Sequence, residues 1–315
     1  VAEQYRVLVS CPLAWDGVEE MRDLLDEHGI GVDFPEVPGQ ALSEPDLLGV
    51  IGQYDGMLAG DDELSRAVIE AGSRLKVIAK WGVGVDAIDL QAAADRGVAV
   101  LNTPGVFGDE LADYAMGYLI LIARQQHVVD REVRAGHWHK PRGHSLADRT
   151  LGIVGLGFAG SALGTRARAM RMNVIGTDPL LEHDRVPRGV EPVGLEELLS
   201  RSDAVSLHLP LIPETESLIS KSAVAAMRPG VWLVNTSRGR LIDEEALLAG
   251  LDSGQIGAAA LDVFREEPLP SDHPLLTYPQ VILGSHNGSN THEAVERTTR
   301  RAVENLIAGL EGGAG

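Results

Sequence analysis

Short apolar runs alternate with amphipathic stretches along nearly the whole chain. Tyr5-Arg6-Val7-Leu8-Val9 reads as a strand, and Gly17 to His28 repeats its apolar residues at helical spacing. Gly56 to Ala59, Lys76 to Ala79 and Val98 to Leu101 predict further strands. Between them, Leu64 to Ala71 and Leu90 to Arg96 predict helices, the second closed by Gly97. A long helix follows from Asp109 to about Ala135, ended by Gly136. A second series then begins: strand Thr150 to Val154, helix Phe158 to Met170 and strand Asn173 to Thr177. Ala204 to Leu207, Val231 to Asn235, Gly257 to Leu261 and Val281 to Gly284 predict four more strands, and Thr291 to Leu310 a final helix. Strands separated by helices of this length imply βαβ units, hence parallel sheets covered on both faces. The fold class is α/β, built as two such series.

Length and charge narrow the picture. A chain of 315 residues exceeds the roughly 100–200 of a single domain, so two domains are expected. With 27 Lys+Arg against 46 Asp+Glu, the formal charge is −19. That balance argues against nucleic acid or an anionic membrane as partner, while leaving room for a small anion held by a few placed groups. The single cysteine, Cys11, excludes an internal disulfide and a Cys-rich metal site. His137, His139 and His144 flank Trp138 without acidic companions at ligand spacing, so no metal is expected there. The N-terminus shows no signal-peptide pattern, and the apolar stretch Tyr114 to Ala123 is shorter than the ~20 residues that span a bilayer. A soluble, cytoplasmic protein is expected.

Gly155-Leu156-Gly157-Phe158-Ala159-Gly160 follows a predicted strand directly and opens a predicted helix. Glycines at this spacing allow a tight turn, close approach of backbone to a pyrophosphate, and close helix–strand packing. The next strand ends at Thr177-Asp178, where a carboxylate can bond ribose hydroxyls. Asp178 would also repel the extra phosphate of NADP, and Pro179-Leu180 after it supplies no arginine, so NAD is the expected cofactor.

Further blocks read Val234-Asn235-Thr236-Ser237-Arg238-Gly239, Ala260-Leu261-Asp262-Val263-Phe264-Arg265-Glu266-Glu267-Pro268 and Gly284-Ser285-His286-Asn287-Gly288. With Gly82-Val83-Gly84-Val85-Asp86 and the glycine motif, they resemble the D-isomer-specific 2-hydroxyacid dehydrogenases, most closely the phosphoglycerate dehydrogenase-like branch. The resemblance covers essentially the full chain, with the motifs in family order. It implies two Rossmann-like doubly wound domains with the active site in the cleft between them. Residues 1–101 and 287–315 would form a discontinuous substrate-binding domain and 102–286 the NAD-binding domain.

The implied chemistry is reversible hydride transfer between NAD(H) and a small 2-hydroxy or 2-oxo acid. Such a reduction needs a proton for the developing alkoxide and a cation for the carboxylate. Arg238 matches the family's substrate-binding arginine and His286 its acid/base histidine. Glu267 matches the carboxylate that orients that histidine; Glu266 competes as its neighbour, and only adjacency to Pro268 separates the two. Asp262 resembles the aspartate near the nicotinamide, with a turn role as the alternative. His208 and Pro210 resemble the loop beside the cofactor, and Thr236 and Ser237 lie in the same matched block.

The substrate side is read from Gly82, Val83 and Gly84, whose backbone amides could form an anion nest. Lys80, before Trp81, stands where phosphoglycerate dehydrogenase relatives often carry a cation facing a distal phosphate; a solvated strand-end charge is the alternative. Two departures alter the pocket lining: Phe107 stands where an Asn is usual, and Ser285 and Asn287 flank His286. Both put 3-phosphoglycerate in doubt and leave another small 2-oxo acid, with or without a distal phosphate or phosphonate. The resemblance also implies a homodimer. An NAD-sensing corepressor-like protein of the same fold, or a dehydrogenase of an inorganic oxyanion, are the other readings. Formate is disfavoured by Glu267, and no feedback control through an appended serine-binding module is expected.

Overall fold

A computed structural model describes residues 3–179 and 186–312. Leu180 and the terminal Gly313-Ala314-Gly315 lie outside the described residues. The chain divides into two compact units, Val1–Val106 with Asn290–Gly315, and Phe107–Ser289.

The first unit is built on five parallel strands: β1 (Tyr5–Val9), β2 (Ile30–Asp33), β3 (Gly56–Ala59), β4 (Val77–Lys80) and β5 (Ala99–Leu101). Their order is β2-β1-β3-β4-β5. Leu47, Ile51, Leu64, Val68, Ile69 and Ala92 belong to a buried cluster with the strand residues Leu8, Met57 and Ile78. The helix His292–Leu310 packs on β3 and β4, burying Ala294, Ala302, Val303 and Leu306. It approaches so closely that a Cβ at Gly309 would collide with the Val77 side chain. Residues distant in sequence thereby complete this unit's core. The loops after β1, β3 and β4 leave the same edge of the sheet, as parallel strands require.

The second unit holds seven parallel strands: β6 (Thr150–Val154), β7 (Asn173–Thr177), β8 (Glu191–Pro192), β9 (Ala204–Leu207), β10 (Val231–Asn235), β11 (Ile256–Leu261) and β12 (Val281–Leu283). The order β12-β11-β10-β9-β6-β7-β8 reverses direction at β6, giving a doubly wound sheet whose switch point lies between β6 and β9. Two apolar clusters are buried in this unit. One includes Leu198, Val224, Leu233 and Leu247; the other includes Leu119, Ile122, Leu163 and Trp232. In such sheets ligands bind at the carboxyl ends of the strands beside the switch point. The glycine motif follows β6 and His208 follows β9, so both lie there.

Several local features differ from the sequence reading, among them four short helices it does not name, Glu44–Leu48, Leu195–Arg201, Lys221–Ala226 and Glu244–Ser253. The long predicted helix is two, Gly108–Arg124 and Gln126–Arg134, because Gln125 takes a left-handed φ of 50° that ends the first. Likewise Gly17 to His28 is covered by two short helices, Trp15–Glu20 and Arg22–Glu27, meeting at Met21. β2 and β8 have no counterpart in the periodicity. β2 is four residues carrying Gly31, and β8 is two residues ending in Pro192, which cannot donate to a ladder and is tolerated at a sheet edge.

Candidate functional site

The glycine loop divides its labour among three positions. Gly155 has φ 99°, which side-chain-bearing residues rarely adopt, and a Cβ there would come within 2.6 Å of the His208 carbonyl. The loops after β6 and β9 therefore touch. Gly160, in the first turn of the helix Phe158–Ala169, approaches the Gly155 carbonyl so closely that no Cβ fits. At Gly157, by contrast, a Cβ would meet nothing within 4 Å. Its missing side chain is thus not a packing requirement of the fold; it leaves space over the helix N-terminus, where amides and dipole favour a phosphate. Phe158 is exposed, and Ala159 adds no bulk beside it.

Asp178 follows β7, and its Oδ2 accepts a 2.8 Å hydrogen bond from the Leu156 amide in the glycine loop. That bond anchors the carboxylate beside the loop where a ribose would lie. On the β9 side, burial pushes the His208 imidazole down to about 4, so the ring is neutral at physiological pH. Its Nε2 lies 2.8 Å from the Ser206 hydroxyl. Pro210 is held by its carbonyl, which accepts from Thr215 Oγ1 at 2.7 Å. After β10, the Thr236 hydroxyl is buried without a hydrogen-bond partner. A buried hydroxyl left in this way is costly unless a ligand completes it. The cradle at Gly157, the carboxylate at Asp178 and this hydroxyl are the features a dinucleotide needs, and together the residues fit NAD.

Arg238 is presented by a braced turn. Buried Asn235 ends β10; its Nδ2 donates to the Arg238 carbonyl at 2.8 Å and its Oδ1 accepts from the Ser237 amide at 3.0 Å. Ser237 Oγ donates across to the Leu207 carbonyl at 2.9 Å. Gly239 then packs against the Phe264 backbone with no room for a side chain. The Arg238 turn is thereby brought against the segment that leads to Glu267.

Glu267, rather than Glu266, faces the histidine. Its Oε2 lies 2.7 Å from His286 Nδ1, while its Oε1 accepts from the Phe264 amide at 2.8 Å. The side chains of Glu267 and His286 are each about three-quarters enclosed. His286 has φ 55°, an uncommon conformation for a residue with a side chain. Asp262 imposes it: its carbonyl accepts from the His286 amide at 2.7 Å, and its carboxylate accepts from Asn287 and Gly288 at 3.1 and 2.7 Å. The turn role weighed for Asp262 is therefore present, in a carboxylate that is 1% exposed. Asn235 in its bracing role is not singled out in the sequence; its only signal there is an amide at the end of an apolar strand.

In the first unit, the Gly82 amide donates to Thr103 Oγ1 at 3.0 Å, and Thr103 returns a bond to the Gly82 carbonyl. Gly82, at φ 123°, thus shapes the loop, and its amide is already taken. Val83 is exposed and its carbonyl accepts from Asn102 Nδ2, which braces the Gly82–Gly84 loop. Trp81 is buried, its indole donating to Thr299 in the last helix. Lys80 is 3% exposed and ion-paired to Asp61, so it is not a solvated strand-end charge. Phe107, the first residue of the second unit, is also buried.

A sequence model of the D-isomer specific 2-hydroxyacid dehydrogenase NAD binding domain matches residues 116–288, more than half of the chain. The chain belongs to this family. It is an NAD-dependent oxidoreductase of the D-2-hydroxyacid dehydrogenase type. A hydroxypyruvate reductase of Thermotoga maritima is 36% identical, covering 98% of this chain and 99% of that protein. A D-3-phosphoglycerate dehydrogenase of Methanocaldococcus jannaschii is 38% identical over 98% of this chain, which spans only 58% of that relative's length. Among solved structures, a glyoxylate reductase from Paecilomyes thermophila superposes with a TM-score of 0.85 at 32% identity, covering 98% and 96% of the two chains.

Proposed function

We propose that this dehydrogenase reversibly reduces a small 2-oxo acid, with Arg238, Glu267 and His286 as its catalytic set. The observation that carries the reading is the 2.7 Å pairing of His286 Nδ1 with Glu267. Because the carboxylate engages Nδ1 and fixes the ring, the proton exchanged with substrate belongs to Nε2. Arg238, braced by Asn235, offers a planar fork that can hold the substrate carboxylate and polarise its carbonyl oxygen. Bound NADH supplies the hydride. As charge develops on the carbonyl oxygen, His286 donates its proton there, and in the reverse direction it takes that proton back.

The remaining assignments support this chemistry. Gly155, Gly157 and Gly160 with Phe158 and Ala159 cradle the pyrophosphate, and Asp178 bonds the ribose and selects NAD over NADP. His208, Pro210, Thr236, Ser237 and Asp262 complete the cofactor side. The segment Gly82–Gly84 contributes the amides of Val83 and Gly84 to the substrate carboxylate, with Lys80 and Trp81 supporting that loop. The protein is further read as a cytoplasmic homodimer. The helix Gln126–Arg134 buries none of its residues, and Trp138 beyond it is 83% exposed, as a surface awaiting a second copy would be. Among the described residues no helix is long and apolar enough to cross a membrane.

The test is NADH oxidation with glyoxylate, pyruvate and hydroxypyruvate, with NADPH in parallel. Turnover of at least one with NADH is expected. Tight NADH binding without turnover of any 2-oxo acid would instead favour a regulatory NAD-sensing protein.

A further inference from the structure

The loops after β3 and β4 place one cation among carboxylates. Lys80 is almost fully enclosed, its side chain 4% exposed, and its ammonium donates to Asp61 Oδ1 at 3.1 Å and to the Trp81 carbonyl at 2.9 Å. Asp61, by contrast, is half exposed. The Lys80 Nζ sits 3.2 Å from where a Gly82 side chain would begin, at the start of the loop assigned above to the substrate carboxylate. Beneath lies Asp62, fully buried, accepting from Ser10 Oγ and from the amides of Leu42 and Gly60. The charge of Lys80 is thus already matched by Asp61, without counting Asp62.

We propose that Asp61 is a specificity-determining residue, occupying Lys80 and making the subsite for the substrate tail accept an uncharged tail, a hydrogen or a hydroxyl, rather than a phosphate. The inference rests on the dehydrogenase reading above and deepens it. An anionic tail would have to displace Asp61 from a charge-assisted bond and then sit beside a half-exposed carboxylate, where like charges repel. A hydroxyl tail meets no such barrier, because it can donate to the same carboxylate. Glyoxylate, which has no tail, leaves the pair undisturbed. A lysine at a strand end suggests an anion reader in sequence; its partner, nineteen residues upstream, cancels that role.

The experiment compares kcat/KM with NADH for glyoxylate, hydroxypyruvate and 3-phosphohydroxypyruvate in the full chain and in its Asp61→Asn variant. The wild type is expected to favour hydroxypyruvate over its phosphate by about tenfold or more. In D61N the phosphorylated-to-unphosphorylated ratio should rise by about tenfold or more, since Lys80 keeps a hydrogen-bond partner but loses its counter-charge. A merely structural role would lower all three activities together and leave that ratio where it was. Should D61N fold poorly, Asp61→Ser and inhibition of the wild type by inorganic phosphate read the same subsite. Wild-type preference for the phosphorylated acid, or a ratio unmoved in both variants, would overturn the proposal while leaving the dehydrogenase reading intact. No turnover of any 2-oxo acid would overturn both.

Discussion

His286 Nδ1 and Glu267 Oε2 lie 2.7 Å apart, and the second oxygen of Glu267 is tied to the Phe264 amide at 2.8 Å. The carboxylate is therefore fixed from behind while it orients the ring in front. Replacing His286 with Ala should lower turnover by about 100- to 10,000-fold while NADH binding survives, because in the proposed mechanism the ring exchanges the substrate proton and does not hold the dinucleotide. Stopped-flow turnover alongside NADH fluorescence titration checks both halves.

Glu267→Gln retains the shape and an acceptor oxygen but removes the charge. A carboxylate favours the imidazolium, and reduction requires the protonated ring. The basic limb of the kcat/KM profile for reduction should therefore move to lower pH in the variant, with kcat down by roughly ten- to a hundredfold. An equal loss at every pH would show that Glu267 serves only packing.

Gly157 and Gly160 should respond differently to alanine. Gly157 has φ −64° with open space beyond it, so Gly157→Ala should change stability by no more than about 0.5 kcal/mol. In the proposed cradle the added methyl would stand in the path of the pyrophosphate, and the NADH dissociation constant should rise about tenfold or more. Gly160→Ala forces a methyl into the Gly155 carbonyl and should destabilise the unit itself. Urea unfolding and NADH titration of the two variants separate these effects.

Asp178→Ser should erode the preference for NAD. In the proposed role the carboxylate anchored on the Leu156 amide would repel a 2′-phosphate, and serine both removes that charge and offers a hydroxyl. The ratio of kcat/KM for NADH over NADPH should fall by about tenfold or more. A ratio unchanged in the variant would remove Asp178 from cofactor selection.

His208 gives a stability prediction with a definite sign. Its folded value of about 4 lies below the 6.5 of an exposed histidine, so between those values the unfolded chain binds the extra proton. The stabilisation from keeping this ring neutral is whole above about pH 6.5 and is lost as pH falls toward 4. His208→Gln should therefore lose less stability than the wild type between pH 7.5 and 4, by on the order of 3 kcal/mol. Parallel urea unfolding of the cofactor-free proteins at several pH values measures the difference.

Much of the architecture is visible in local pattern. Tyr5–Val9, Gly56–Ala59, Thr150–Val154, Asn173–Thr177, Ala204–Leu207 and Val231–Asn235 coincide with the strands, since each is an apolar run that a doubly covered parallel sheet demands. Gly97 ends its helix at φ 68° as its position after Arg96 suggests. What escaped is where local propensity is weak or overridden. Gln125 and Met21 interrupt apolar repeats that look continuous, and β2 and β8 are edge strands held by their neighbours rather than by their own composition. Glu266 and Glu267 are the same residue type, separated in sequence only by adjacency to Pro268; the folded segment shows that Glu267 reaches His286.

The chain's own order of residues determined the element series, the glycine loop with its acid at Asp178, and the family, because these rest on short-range spacing. Tertiary structure decided the pairings between distant positions: Glu267 with His286, Asp262 with the backbone of His286 to Gly288, Thr103 with Gly82, and Asp61 with Lys80. A hydrogen bond or ion pair depends on distance in space, and parallel strands carry residues far apart in the chain to the same sheet edge. Lys80 shows the consequence. Alone it is a cation suited to a phosphate, but the neighbour that folding supplies has already neutralised it.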